Sequence, residues 1–317
     1  MTTRTLIERG GTFLGLILVA VIFGALVGPQ FFSPNNLELM ARQTAIVSIA
    51  AVGMTVVIVS GGIDLSVGSI IALGTVVIAL LLRNGASPMV AALGAVAAAA
   101  ACGLVNGVLI TQLRVVPFIV TLGTMLVIRG AAKGLAEERR IEAPESWLND
   151  LLRVPRGGAL LPSGIWAVIA LALIVAGVLR YTRFGRHVFA IGSNERMARL
   201  CGVAITRTKI LVYVLTAAFA GVAGLLQFAK LSVGDPTVAI GLELDVIAAV
   251  IIGGGSLLGG RGTVSGTLIG AAIMTIIQIG CSQKGLANWI QQIVTGGIIV
   301  AAVALDRVRS ADLMRTP

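Results

Sequence analysis

The sequence predicts an all-α fold, a polytopic transmembrane bundle of about ten membrane segments. Three observations predict it. Mean hydropathy is +1.00, and 57% of the 317 residues are hydrophobic. Only 12% are charged, about half the roughly 25% typical of soluble domains. Apolar stretches of about 18 residues or more recur along the chain, each long enough to cross a hydrocarbon layer of ~30 Å as a helix. The 40 glycines fit such a bundle, because small residues let helices approach closely in lipid.

The elements follow in order. An apolar run over about 11–29 comes after Arg4 and Arg9. That charge order resembles a signal peptide, but the run is too long for one and reads as a retained first helix. Segments at 44–60 and 65–82 are separated by the string GGID at 61–64, which predicts a broken or re-entrant stretch. Segments at 88–110 and 116–133 lead into a loop, 134–162, that mixes Glu137, Glu138, Glu142, Glu145 and Asp150 with four arginines and carries Pro144, Pro155 and Pro162. A segment at 163–180 precedes the loop 181–209. The last four segments are 210–230, 244–256, 263–283 and 288–305. Of these, 244–256 is short and runs into the Gly-rich GGGSLLGGRG at 253–262, predicting a second broken or re-entrant region near 244–260. Interrupted segments of this kind line cavities in transporters. Residues 1–317 thus read as one transmembrane domain.

Cytoplasmic loops carry the Lys/Arg excess. With both termini cytoplasmic, the inner side collects 14 basic and 5 acidic residues and the outer side 10 and 9. The inner excess comes mainly from Arg183, Arg186, Arg196, Arg199, Arg207 and Lys209, and from Arg307, Arg309 and Arg315 in the tail. The 134–162 loop falls outside. The net charge of +10 lies in loops between apolar runs rather than on one exposed face, which argues against nucleic-acid binding. Cys102, Cys201 and Cys281 have no metal-ligand spacing, so neither a metal site nor a disulfide is expected. No cofactor is expected either. The nearest string to a phosphate loop, GSLLGGRG at 255–262, lacks its lysine and hydroxyl. The single histidine, His187, has no nucleophile or carboxylate in a motif around it. No catalytic residue is assigned, and the chain reads as a transport subunit rather than an enzyme.

Four features stand out. In GGIDLSVGS at 61–69, Asp64 and Ser66 read as caps for a helix starting near Leu65. They also mark a translocation path or gate, since ionisable groups in a membrane face a cavity or a partner. In the 181–209 loop, residues 194–200 show a short amphipathic helix with Ser193 or Asn194 as its cap and Gly202 as its stop. It either lies on the lipid surface or docks into a soluble partner. In 241–270, Gly262, Gly266 and Gly270 recur every four residues, a groove for close helix packing. Glu243 and Asp245, acidic groups at a membrane boundary at the start of that stretch, mark the outer mouth or the translocation path. Finally, Asn106, Thr121, Gln227 and Gln278 are polar groups inside segments, either path-lining or bonded between helices.

Taken together, GGIDLSVGS, VVPFIVTLGT at 115–124, FGRHVFAIGSNERMARLCGV at 184–203 and GLELDVIAAVIIGGGSLLGGRGT at 241–263 resemble the permeases of ribose-, xylose-, arabinose- and galactose-type ATP-binding-cassette importers. The resemblance runs from about Leu37 to Leu305. It implies a second permease copy or sister permease, a cytoplasmic ATPase subunit that hydrolyses the ATP, a periplasmic sugar-binding protein, and a bacterial inner-membrane location surrounded by lipid. The implied cargo is a pentose or hexose. The resemblance also implies an ATPase-coupling loop on Gly185, Arg186, Gly192, Asn194, Glu195, Arg196, Ala198, Arg199 and Gly202. Ser193, Met197 and Cys201 depart from the pattern there. A rival is an ion-coupled secondary transporter or channel in which Asp64, Glu243 or Asp245 couples an ion.

Overall fold

The computed structural model describes residues 3–153 and 161–315, so Pro155 of the 134–162 loop lies outside the described residues. The chain is a helical bundle, as the hydropathy requires. Its helices are α1 (Thr3–Val27), α2 (Pro34–Val59), α3 (Val67–Arg83), α4 (Pro88–Leu113), α5 (Pro117–Leu135), α6 (Ser163–Tyr181), α7 (Arg183–Ser193), α8 (Glu195–Leu200), α9 (Ile205–Leu231), α10 (Leu242–Ile252), α11 (Val264–Gln283) and α12 (Asn288–Arg315). Pro34, Pro88 and Pro117 each open a helix, where the missing N–H costs nothing and φ is already set.

Among the described residues, six helices are long and apolar enough to cross a membrane, and three further apolar helices span Gly11–Val27, Val67–Arg83 and Asn288–Ala304. With α10 these occupy the ten segments expected from the sequence. The chain is a multi-pass membrane protein. Burial sorts the helices. Every residue of α2 from Ala45 to Val59 is buried, as expected for a helix apolar all round. On α5 the buried residues are Thr121, Ile128 and Ala132, and large apolar side chains such as Leu126 and Val127 are exposed. The central helices α2, α3 and α9 form the core, and α1, α4, α5, α6 and α12 turn apolar faces outward to lipid.

Two irregular stretches interrupt the bundle. The first, residues 60–66, lies between α2 and α3, where the sequence predicts it. The second differs from expectation: 242–252 is regular helix, and the irregular backbone lies on either side, at 232–241 and 253–263. The residues explain the difference. Apolar 246–252 has no reason to leave the helix, whereas Ser232, Ala239 and Gly241 before it, and Gly254, Gly259 and Gly260 after it, all take positive φ, which a helix cannot accommodate.

The packing repeats itself. Helix α2 leads through a break into α3, then α4 and α5; helix α9 leads through a break into α10, then α11 and α12. Helix α4 packs against α9 as α11 packs against α2, and α3 packs on α9, α4 and α5 as α10 packs on α2, α11 and α12. Corresponding helices stand five spans apart along the chain, an odd number, so the second set runs in the opposite direction. The chain contains an inverted repeat.

Candidate functional site

The polar residues singled out from the sequence fall into separate groups. Around the first break, Asp64 Oδ1 accepts from Ser66 N at 2.8 Å and from Ser66 Oγ at 2.6 Å. Asn106 Nδ2 of α4 donates to Ser66 Oγ at 2.9 Å. Thr121 Oγ1 of α5 donates to the Ile63 carbonyl at 3.2 Å and to Pro117 at 3.0 Å. Asp64, Ser66, Asn106 and Thr121 are all fully buried. Helix α3 starts at Val67 rather than Leu65, with Ser66 as its cap residue but no side-chain capping bond. Asp64 instead closes a local turn onto Ser66. Tyr213 of α9 packs over Gly62, and Asp64 Oδ2, Asn106 Oδ1, Ser69 Oγ and Tyr213 Oη have no protein partner. Neither Tyr213 nor Ser69 was expected from the sequence.

The second break meets the first at Gly68, near the start of α3. A Cβ there would overlap the Glu243 carboxylate and the Ala239 carbonyl oxygen. Glu243 also accepts from Gly241 N at 3.2 Å. The starts of α3 and α10 therefore touch, with an acid beside each. Asp245 and Gln278 do not join this group. They bond each other, Gln278 Nε2 to Asp245 Oδ2 at 2.6 Å, between α10 and α11. Gln227 is half-buried on α9 and bonds none of the others. The eight candidate path residues are thus one cluster of four, Glu243 adjoining it, one pair, and one apart.

At the end of the bundle where α2 finishes, α7 and α8 form a hinged pair. Thr182 Oγ1 caps α7 on Gly185 N at 3.2 Å, and Asn194 Oδ1 caps α8 on Met197 N at 3.0 Å. The 186–202 stretch is two helices bent at Asn194, which settles the choice between Ser193 and Asn194. Gly202, at φ +80°, stops α8 as expected. Gly185 packs so tightly under Leu179 that a Cβ would overlap its carbonyl. Ala198 is buried, while Arg186, Arg196, Arg199, Met197 and Leu200 are exposed. Glu195 receives Lys209 Nζ of α9 at 2.7 Å and Arg199 at 3.2 Å. The Lys209 bond, opposed by partial burial and aided by Arg199, holds the Glu195 carboxyl below the usual glutamate range.

Gly192, at the end of α7, meets both breaks. A Cβ on it would overlap the Val59 carbonyl oxygen and crowd Gly260 N. Gly260 N donates to that same carbonyl at 2.9 Å. Gly61, Gly192, Gly259 and Gly260 meet there as bare backbone, so movement of α7 bears directly on the stretch before α3 and the stretch after α10.

Three charged residues that sequence reasoning did not single out lie at the opposite end. Arg129 of α5 donates to the carbonyls of Pro236 and Val238, and Asp235 receives Arg140. An ionisable residue within an apolar run was the available signal for Arg129.

Residues 36–303 match the family described as the permease component of the branched-chain amino acid transport system. The chain is 38% identical to the ribose import permease protein RbsC of Escherichia coli (strain K12), covering 96% of this chain and 95% of that one. It is 37% identical to the L-arabinose ABC transporter permease protein AraH of Azospirillum brasilense, over 96% and 89% of the two chains. It is 32% identical to the fructose import permease protein FrcC of Rhizobium meliloti, over 92% and 83%. No solved structure matches. With the glycine junction, the hinged pair α7–α8 and the two broken spans all lying inside the matched residues, the chain belongs to the permease-component family of branched-chain amino acid transport systems, where its relatives include sugar import permeases.

Proposed function

We propose that this chain forms the translocation path of an ATP-driven importer for a monosaccharide, a pentose or hexose, in the bacterial inner membrane. Both termini face the cytoplasm, the 181–209 stretch docks an ATPase subunit, and the 134–162 loop faces a sugar-binding protein outside. A second permease, identical or sister, completes the path. The chain supplies no catalysis of its own.

The observation that carries this reading is the coupling geometry of α7 and α8. Met197 and Leu200 are 55% and 80% exposed beside Arg196 and Arg199, an apolar knob with a basic rim suited to a protein groove. Gly192, two residues before the bend of the same unit, rests on both breaks. A pull on the knob therefore reaches α3 and α10 without a flexible side chain between. Nucleotide biases one arrangement of the bundle and the loaded binding protein the other, and the sugar moves because the two arrangements expose it to opposite sides. Asp64, Ser66, Asn106 and Thr121 brace the inner break, and Glu243 lies where the two breaks meet. Asp245 and Gln278 act as one bonded pair between helices, and Gln227 contacts the path only if the second permease places it there.

The test is co-purification with candidate ATPase subunits in detergent. The intact chain retains the ATPase, and the Arg196→Glu/Arg199→Glu variant, still monodisperse and helical, loses it. No association in either, together with uptake that follows an ion gradient, moves the reading to an ion-coupled transporter.

A further inference from the structure

The segment 232–241 is irregular backbone at the depth of helical neighbours, and in lipid every such N–H and C=O needs a partner. Two arginines hold it. Arg129 Nη1 donates to Pro236 O at 3.0 Å and to Val238 O at 2.7 Å. Arg140 Nε donates to Asp235 Oδ2 at 2.8 Å. Asp235 Oδ1 accepts from Thr237 N and Oγ1 at 2.8 and 2.6 Å, and Asp235 N and O meet Thr75 Oγ1 of α3. A two-residue antiparallel ladder, β1 (Ile141–Glu142) with β2 (Val233–Gly234), joins the same loop to the same segment. Ser232 and Ala239, non-glycine residues at φ 62° and 59°, bound the held stretch, a conformation that persists where surroundings enforce it.

We propose that Arg129 and the Arg140–Asp235 pair are positioning residues of the outer gate, and that they form a latch that seats 232–241 and lets go for sugar to pass. The two halves differ in access. The Arg140 side chain is 73% exposed and its partner Asp235 only 4%, so water or an acidic group arriving from outside reaches the arginine first. Release of Arg140 leaves a buried carboxylate without its cation, an unfavourable state that is relieved when the segment lifts. Arg129 approaches from the membrane helix and holds the two carbonyls until the segment lifts. Since the segment leads directly into α10, and α10 ends at the glycine junction, the latch and the docking unit act on the two ends of one short helix. The proposal rests on the reading of the 134–162 loop as the outer face.

Two measurements test it. In the purified full chain, Arg129→Gln and Arg140→Gln are each expected to raise amide hydrogen exchange over 233–239 by roughly tenfold or more, the scale of one lost charged hydrogen bond. Exchange in α2 and α9 stays as in the parent, and Arg129→Lys recovers part of the protection. Unchanged exchange overturns the positioning role. The second measurement uses the permease with its ATPase and binding protein in vesicles, the native cysteines replaced, and the pair Glu142→Cys/Val233→Cys, which face each other across the ladder. Uptake of ribose, arabinose, allose and fructose is followed. Oxidation is expected to abolish ATP-dependent uptake and dithiothreitol to restore it. Uptake at the parent rate with the disulfide formed overturns the latch. A parent that carries none of the four sugars counts against the sugar reading above and leaves the exchange result to decide the positioning role.

Discussion

Glu195 ties the short helix α8 to the long helix α9 through Lys209 while also holding Arg199 within its own helix. Its carboxyl lies below the ordinary range because the charged form is the bonded one. By linkage, a depressed folded value contributes stability above the unfolded value, and that contribution disappears as pH falls through the folded one. Because Glu195 is 40% exposed, the contribution is small, about 0.5 kcal/mol. Protection from hydrogen exchange over 195–200, taken relative to the intrinsic rate at each pH, is expected to be steady near neutral pH and to fall as pH drops below the usual glutamate range. Glu195→Gln shows the lower protection at all pH values. At this scale the sequence is informative where partners are near. Asn194 capping Met197 is three residues apart and legible as a cap. Asp64 beside Ser66 is legible as local structure, though as a helix cap where it closes a turn. Arg129 is not legible, because its acceptors are main-chain carbonyls 107 and 109 residues further on. Nor is the bond from Asn106 to Ser66, across 40 residues.

Among the elements, α11 shows why a glycine repeat is worth reading. A Cβ on Gly266 would overlap the Gly253 carbonyl, and one on Gly270 the Ala249 carbonyl, so α11 rides directly on the backbone of α10. Gly262, the third member of the repeat, stands before the helix in a loop conformation at φ 157° and takes no part in the groove. Gly270→Leu is expected to force α10 and α11 apart and destabilise the bundle by about 1–3 kcal/mol, the cost of overpacking. Thermal unfolding in detergent measures it. The control is Gly123→Ala on α5, where nothing lies within 4 Å and no loss is expected. Period and length were enough to locate ten apolar segments. The glycines at 253–262 announce the part of the second break after α10, but the part before it is not legible, since the left-handed backbone at Ser232 and Ala239 has no glycine to announce it.

For the molecule as a whole, the inverted repeat sets two broken spans in opposition, and they meet at Gly68 and again at the glycine junction. Gly192→Val puts a branched side chain where the Val59 carbonyl already stands. The variant is expected to assemble with its ATPase and hydrolyse ATP while losing at least about tenfold in uptake, a loss worth about 1.4 kcal/mol of coupling; parallel ATPase and uptake assays detect the split. The repeat itself is not legible in the sequence, because its two halves share packing and order rather than residues: the first break is GGID and the second is a run with Pro236, Thr237 and Ala239.

Helix α10 has 11 residues and so measures ~16 Å, about half of the ~30 Å a lone helix must cover. It cannot be threaded into the bilayer on its own hydrophobicity during synthesis. Its insertion must wait for α11, whose glycine face receives it, and for α2, already in place. The last third of the chain is therefore assembled as a hairpin against a waiting scaffold, and an emerging chain cut after Ile252 should leave 242–252 outside the hydrocarbon.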